Sequence, residues 1–183
     1  MKSLVKCRAC GYIMDEGDVT DSCPACGLPK TVFEPYKDKV SEKRRKLIDL
    51  HIHPIIVHFP PVLAIAVVGG LVLSFLLGDP WRVKLLGTAE LCIVLMPASL
   101  LAALASGFFD GRLRFKKVTT PLLRKKIAAG VSCFVLSLIL LGLWAVSRFD
   151  SPVLMLLVSG GCLVCNTYLG RVGATLMEAV LPG

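Results

Sequence analysis

The chain has 183 residues, 55% of them hydrophobic, with a mean hydropathy of +0.71. This composition is too apolar for an ordinary soluble domain and indicates a membrane protein. The formal net charge is +8, yet the basic residues cluster beside apolar segments, where they usually face anionic lipid headgroups. We therefore expect membrane lipid, and no nucleic acid, as a partner.

The first part of the chain contains two Cys-x-x-Cys pairs separated by twelve residues. Each pair forms a turn that brings two sulfurs onto one ion, and two such turns complete a tetrahedral site for iron or zinc. A glycine follows each pair, Gly11 and Gly27, and allows the turn to close tightly. The predicted metal ligands are Cys7, Cys10, Cys23 and Cys26.

Two segments, CRACGYI and CPACGLPKTVFEPY, resemble the metal-binding turns of rubredoxin. The short gap between the cysteine pairs resembles the compact rubredoxin-like domain that ends rubrerythrins, and the likeness covers residues 4–36. The resemblance implies a small loop-rich domain with short β-strands, in which the four cysteines bind one iron that cycles between ferric and ferrous states. The chain lacks the longer middle segment of full-length rubredoxin and its tryptophan.

Zinc is the alternative metal, because zinc ribbons also use four thiolates. The Gly-Tyr after the first pair and the Gly-x-Pro-Lys after the second favour iron. A domain of this size buries little core, so the bound metal should supply most of its folding free energy.

Four apolar segments follow residue 50, at 54–77, 85–109, 127–146 and 152–169. About 20 residues in a helix cross a hydrocarbon core of roughly 30 Å. The predicted fold class is therefore a small rubredoxin-like domain plus an all-α four-helix transmembrane bundle, with the short fourth segment as its last span. The predicted domains are 1–36, a basic juxtamembrane linker at 37–50, and the transmembrane domain at 51–183.

The distribution of lysine and arginine predicts the orientation of the bundle. Six basic residues lie in 37–46 and seven in 112–126, on the same side of a four-span chain. The opposite side has Arg82, Lys84 and Arg148. The positive-inside rule therefore places both termini in the cytoplasm, in a multi-pass protein of the cytoplasmic membrane. That compartment is reducing, which argues against disulfides in the cysteine domain. No secretory signal peptide is expected, because the first cysteine pair begins only seven residues into the chain.

All three histidines lie in one string, HIHPIIVHFPP, which opens the first apolar segment. The string His53-Pro54-x-x-x-His58-Phe59-Pro60 resembles a motif of an uncharacterised family of small four-helix membrane proteins. The Ser-Gly-x-x-Asp at 106–110 and the glycines at 170 and 173 also resemble that family. The resemblance covers 50–180 and implies the four-helix fold without a particular activity.

Several polar residues fall near the cytoplasmic ends of the predicted spans, where polar groups face the bundle interior and often have a function. They are predicted to line one pocket that holds a quinone headgroup or a haem, with His58 as the main contact. The predicted cofactor-binding residues are His53, His58, Asp110 and Asn166.

A haem in this pocket has few ligand choices, because histidines at 51, 53 and 58 cannot come from different helices of one chain. The choices are His58 with Met96, His58 alone, or His58 from two subunits of a homo-oligomer. The alternative is structural: His53 and His58 hydrogen-bond backbone groups freed by the nearby prolines.

Other polar residues of the spans have simpler interpretations. Glu90 is expected to reach the surface or pair with Lys84, and Asp110 to form a salt bridge or a cap. Cys162 and Cys165 share a helix face, and we expect them to be small packing residues.

No nucleophile–base pair, phosphate-binding loop or pair of carboxylates supports a hydrolase or kinase. The chain is predicted to be an electron-transfer module rather than a stand-alone enzyme, exchanging single electrons with a quinone, a haem or a soluble redox partner protein. One alternative is a membrane-anchored zinc knuckle that recruits partners without redox activity. Another is a small transporter or sensor that uses the cluster around His58.

Overall fold

A computed structural model describes residues 3–38, 40–115 and 119–177. The chain divides after Arg45 into two compact units. The first unit contains a small sheet with loops, and the second contains four long helices. The predicted fold class, a small loop-rich β domain followed by a four-helix bundle, is confirmed.

The sheet of the first unit has three short antiparallel strands: β1 (Leu4–Cys7), β2 (Ile13–Asp15) and β3 (Phe33–Tyr36). The central strand is β1, which pairs with β2 on one side and β3 on the other. Because side chains alternate along a strand, β1 buries Val5 and Cys7 on one face.

The first unit has a very small core. Among its described residues, the buried side chains are Val5, Cys7, Cys23 and Val40. Two of these four are predicted metal ligands, so the cysteine site itself occupies the centre of the unit. Apolar burial alone is too small to hold such a domain together, so a metal ion at this site would be the main source of its stability.

The segment after the sheet is helical, as α1 (Glu42–Ile48) and α2 (Ile52–Ile56). Asp38 organises the approach to α1: its carboxylate accepts the backbone N–H of Val40 at 3.0 Å and the Arg45 Nε at 2.7 Å. The hydrogen bond from Arg45 lowers the pKa of Asp38, with a smaller contribution from the Val40 amide, against the opposing effect of burial. His51 stands between the two helices with a left-handed backbone, at φ 51°.

The second unit contains α3 (Phe59–Leu76), α4 (Trp81–Phe115), α5 (Pro121–Ser147) and α6 (Pro152–Met177). Four helical segments of the described chain are long and apolar enough to cross a membrane, at 42–76, 81–115, 121–147 and 152–177. The last helix is longer than its predicted apolar segment, 152–169: its helical structure continues past Arg171 and ends at Met177. Neighbours pack in a ring in which α3 contacts α4 and α6, and α5 contacts α4 and α6.

The bundle core consists of apolar side chains from all four long helices, including the fully buried Leu71, Ile93, Leu140 and Met155. Cys92, Cys133 and Cys162 lie in this core, as small packing residues do. Gly70 allows α3 to approach α4, since a Cβ at this position would lie 3.1 Å from the Leu85 carbonyl oxygen. Large apolar side chains on the outside, such as Leu157 and Val164, form the surface that lipid would cover.

Candidate metal centre and helix-bundle cavity

The four cysteine sulfurs of the first unit all lie within 4.8 Å of one another. The Sγ atoms of Cys7 and Cys26 are 3.8 Å apart, as are those of Cys10 and Cys23. A tetrahedron with metal–sulfur bonds of about 2.3 Å has edges of about 3.8 Å, whereas a disulfide bond needs about 2.05 Å. The donor set therefore fits one tetrahedral metal ion and excludes disulfides within the cluster.

The two cysteine turns are built alike. In each, the backbone N–H of the first cysteine donates to the carbonyl five residues later, at 2.8 Å in the first turn and 2.7 Å in the second. The glycine after the pair donates its N–H back to the first cysteine's carbonyl at 2.8 Å in both turns. Gly11 and Gly27 have φ values of 79° and 74°, in the left-handed region that favours glycine. A Cβ at Gly27 would meet nothing within 4 Å, so backbone conformation and not space requires glycine there.

Backbone amides also act on the thiols. The Cys10 amide holds the pKa of Cys7 at about 7, against the opposing effect of burial. For Cys10, the Tyr12 amide lowers the pKa, but burial and the neighbouring thiols outweigh it and raise the value to about 12. Cys26 resembles Cys10: the Leu28 amide lowers its pKa, yet burial and the Cys23 thiol leave it raised. Since thiolates are the metal-binding form, metal binding by this set releases protons.

Burial differs between the two cysteines of each pair. Cys7 and Cys23 are 0% and 1% exposed, whereas Cys10 and Cys26 are exposed. The site therefore has a buried edge, which anchors it in the unit, and an edge at the surface. A thiolate edge at the surface is where a redox partner can approach a metal centre.

The second unit contains a cavity of about 690 Å³ bounded by the ends of its helices. Most of its wall is apolar, with polar groups from α2, α4, α5 and α6. All four residues predicted to bind a cofactor contribute to this wall: His53, His58, Asp110 and Asn166.

His53 has the most specific environment of these four. Its Nδ1 lies 3.1 Å from the Ser106 Oγ, and its Nε2 lies 3.4 Å from the Lys126 Nζ. The Ser106 hydroxyl donates to the Ala103 carbonyl at 3.1 Å, so its oxygen accepts from His53. This assigns the proton of a neutral imidazole to Nδ1 and leaves Nε2 to accept from Lys126.

The Ser-Gly-x-x-Asp motif on α4 builds the wall behind His53. A Cβ on Gly107 would lie 2.8 Å from the His53 Cε1, so only glycine leaves room for the imidazole. One turn later, the Asp110 carboxylate accepts the Arg114 Nε at 2.8 Å and 3.0 Å, in a pair whose side chains are 18% and 10% exposed. The expected salt bridge of Asp110 is present within its own helix.

The other two predicted residues bond mainly to backbone. The Nδ1 of His58, an exposed residue, lies 2.6 Å from the Pro54 carbonyl oxygen. The buried Asn166 donates to the Cys162 carbonyl at 3.0 Å. His58 thus bonds to a backbone carbonyl, as the structural alternative expects of both histidines. His53 is instead held by side chains of other helices.

Four residues of this region were not singled out as site residues from the sequence: Ser106, Gly107, Arg114 and Lys126. Ser106 and Gly107 belong to the Ser-Gly-x-x-Asp motif that the sequence shows, but the sequence does not predict that they contact His53. Arg114 and Lys126 belong to the basic cluster at 112–126. That cluster predicts the orientation of the bundle in the membrane but does not show which of its members contacts another side chain. The Glu90 side chain reaches the surface, as one of its two expected roles has it, and its carboxylate lies 3.7 Å from Arg148, which is its partner in place of Lys84.

Residues 6–34 match the protein family described as "Rubrerythrin, rubredoxin-like domain". No curated protein and no solved structure gave a match to the chain. The family match covers both cysteine turns, and its residues hold the four sulfurs in one cluster. The N-terminal part of this chain is therefore a rubredoxin-like domain with a four-cysteine metal site, followed by four helices long and apolar enough to span a membrane.

Proposed function

We propose that this protein transfers single electrons at a membrane through one iron held by the four cysteines of its rubredoxin-like domain. The observation that carries the proposal is a tetrahedral four-thiolate donor set in the same chain as four membrane-capable helices. Bound iron supplies one-electron chemistry, cycling between ferric and ferrous states.

The residues around the site suit this role. Both turns hold their sulfurs with backbone hydrogen bonds and left-handed glycines, which keep the ligands in place when the charge of the site changes. Amide donors near the sulfurs and exposure of the site are the features that set the potential of an iron–thiolate centre. The exposed edge formed by Cys10 and Cys26 offers the contact surface for a redox partner.

Metal content and colour test the proposal directly. We expect one iron per chain in protein purified after growth with ample iron and zinc, with the red colour of a ferric tetrathiolate that bleaches on reduction with dithionite. Elemental analysis and the visible spectrum measure both. One zinc per chain in colourless protein would instead support the alternative, a membrane-anchored zinc knuckle that recruits partners.

We also propose that the protein lies in the cytoplasmic membrane with both termini in the cytoplasm. The support is the excess of Lys and Arg in 37–46 and 112–126 over the opposite loops. The iron domain would then face the reducing compartment, where its cysteines stay available to the metal.

Reporter fusions test this orientation. Fusions at Asp79, Lys117 and Gly183 should report outside, inside and inside, because successive loops of a four-span chain alternate in side. Activity of a periplasmic reporter such as alkaline phosphatase, paired with a cytoplasmic reporter at each position, measures the side. An outside result at Gly183 would show that the fourth helix does not span, and an inside result at Asp79 would invert the orientation.

The acceptor or donor is proposed to be a quinone, a haem or a soluble redox protein. A haem held by His58 and Met96 has the least support, because Met96 is fully buried in the bundle core. Ligation by His58 of two subunits would need a homo-oligomer. The cavity, with its mostly apolar wall and a few polar groups, favours a quinone.

A further inference from the structure

The cavity of the second unit has the volume and lining of a small-molecule site. Its volume, about 690 Å³, lies inside the common range of about 300–1,000 Å³ for such sites. Apolar side chains such as Leu104, Phe108, Ile127 and Leu169 form most of the wall. The polar part of the wall includes the linked side chains of His53 and Lys126. This lining suits a mostly apolar ligand that carries a polar group.

The polar part presents a hydrogen-bond donor pair. The chain of hydrogen bonds from His53 to Ser106 and from Ser106 to the Ala103 carbonyl holds the imidazole so that its Nε2 accepts from Lys126. An ammonium has three N–H bonds. One N–H bond of Lys126 is directed to His53, its hydrogen-bond partner within the described residues. The other two N–H bonds remain for an acceptor in the cavity.

Asp110 and Arg114 form an ion pair whose charges offset each other, so Lys126 carries the remaining positive charge of this wall. Its ammonium can donate to a neutral carbonyl oxygen. The mostly apolar wall favours a neutral ligand, because an anionic headgroup would lose its hydration there. We propose that the cavity binds the headgroup of a membrane quinone, with one carbonyl oxygen accepting from Lys126 and with His53 positioning that lysine.

The role of the site in the cell rests on the proposed electron-transfer function. Reduction of one quinone to quinol takes two electrons and two protons, the protons going to its two carbonyl oxygens. The two electrons come from two oxidations of ferrous to ferric iron, and a reduced soluble redox protein, acting as the donor, returns the iron to the ferrous state between them. The Lys126–His53 pair can give a proton to the quinone oxygen that it contacts and regain one from water, while the other quinone oxygen takes its proton from water.

Quinone binding can be measured separately from electron transfer. The full chain is loaded with zinc, which has no redox chemistry, placed in phosphatidylcholine nanodiscs and titrated with decylubiquinone. We expect saturable binding that Lys126→Met weakens about tenfold to a hundredfold, the usual range for a lost hydrogen bond to a charged group. His53→Leu should weaken it too. Lys125→Met is the matched control, because this exposed neighbour is not part of the cavity wall and should leave the affinity unchanged.

Each outcome decides something. Equal affinity in the wild type and Lys126→Met would overturn the quinone site. Binding of phosphatidylglycerol, and not of decylubiquinone, that depends on Lys126 would also overturn it and make the cavity a lipid site. A second measurement uses the iron-loaded protein, reduced and mixed with decylubiquinone. If the zinc form binds quinone but the reduced iron form is not reoxidised by it, the iron does not deliver electrons to the quinone, whereas the quinone site stands.

Discussion

Replacing Cys23 with serine should abolish stoichiometric metal binding and unfold the first unit. The Cys23 side chain is 1% exposed, and its sulfur lies 3.8 Å from that of Cys10. Serine offers a hard, protonated oxygen where the ion needs a soft thiolate. Structural four-ligand sites supply about 10–16 kcal/mol in small zinc domains, and the four buried side chains among the described residues of this unit cannot replace that.

Elemental analysis and limited proteolysis of the full chain measure these two effects. We expect less than a tenth of the wild-type metal and rapid cleavage within residues 3–38, while the helices of the second unit stay intact. The control is Cys165→Ser, which changes a half-buried cysteine of the bundle and should keep full metal. Full occupancy in the Cys23→Ser variant would show that the other three cysteines and another ligand hold the ion.

The metal site was predictable because its information is local. Two Cys-x-x-Cys turns, each followed by glycine, determine where four sulfurs point with little help from the rest of the chain. The four long helices were predictable for a similar reason, since length and apolar composition suffice. The ends of the helices were less predictable: α6 runs to Met177, beyond the apolar segment, because helical hydrogen bonding does not stop where hydropathy falls.

The contacts among the polar residues of the bundle could not be predicted, because they depend on how the helices are rotated against one another. His53 and His58 lie five residues apart at the start of one apolar segment, and the sequence predicts His58 as the main contact. The structure separates them, since α2 ends at Ile56 and α3 begins at Phe59 with prolines in its first turn. The His58 backbone N–H bonds to the Ile55 carbonyl, and the His58 Nδ1–H donates to the Pro54 carbonyl oxygen. His53 instead meets α4 and α5 through Ser106 and Lys126.

Replacing Gly107 with alanine should displace His53 and abolish tight quinone binding while leaving the metal site intact. The added Cβ would lie 2.8 Å from the His53 Cε1, closer than Cβ atoms approach other atoms in proteins, and 3.3 Å from both ring nitrogens. The imidazole must move, so its hydrogen bonds to Ser106 and Lys126 are lost. Overpacking of this kind costs about 1–3 kcal/mol, so we expect a lower melting temperature as well as a quinone affinity reduced at least tenfold.

The matched control is Gly87→Ala on the same helix, where a Cβ would meet nothing within 4 Å. This variant should bind decylubiquinone like the wild type and melt no lower. Adding His53→Ala to Gly107→Ala separates the two effects of the clash. Because the small side chain makes room for the new Cβ, the double variant should regain most of the lost stability. It should not regain quinone affinity, since the group that positions Lys126 is missing. Recovery of affinity in the double variant, or wild-type affinity in Gly107→Ala alone, would show that quinone binding does not depend on the position of His53.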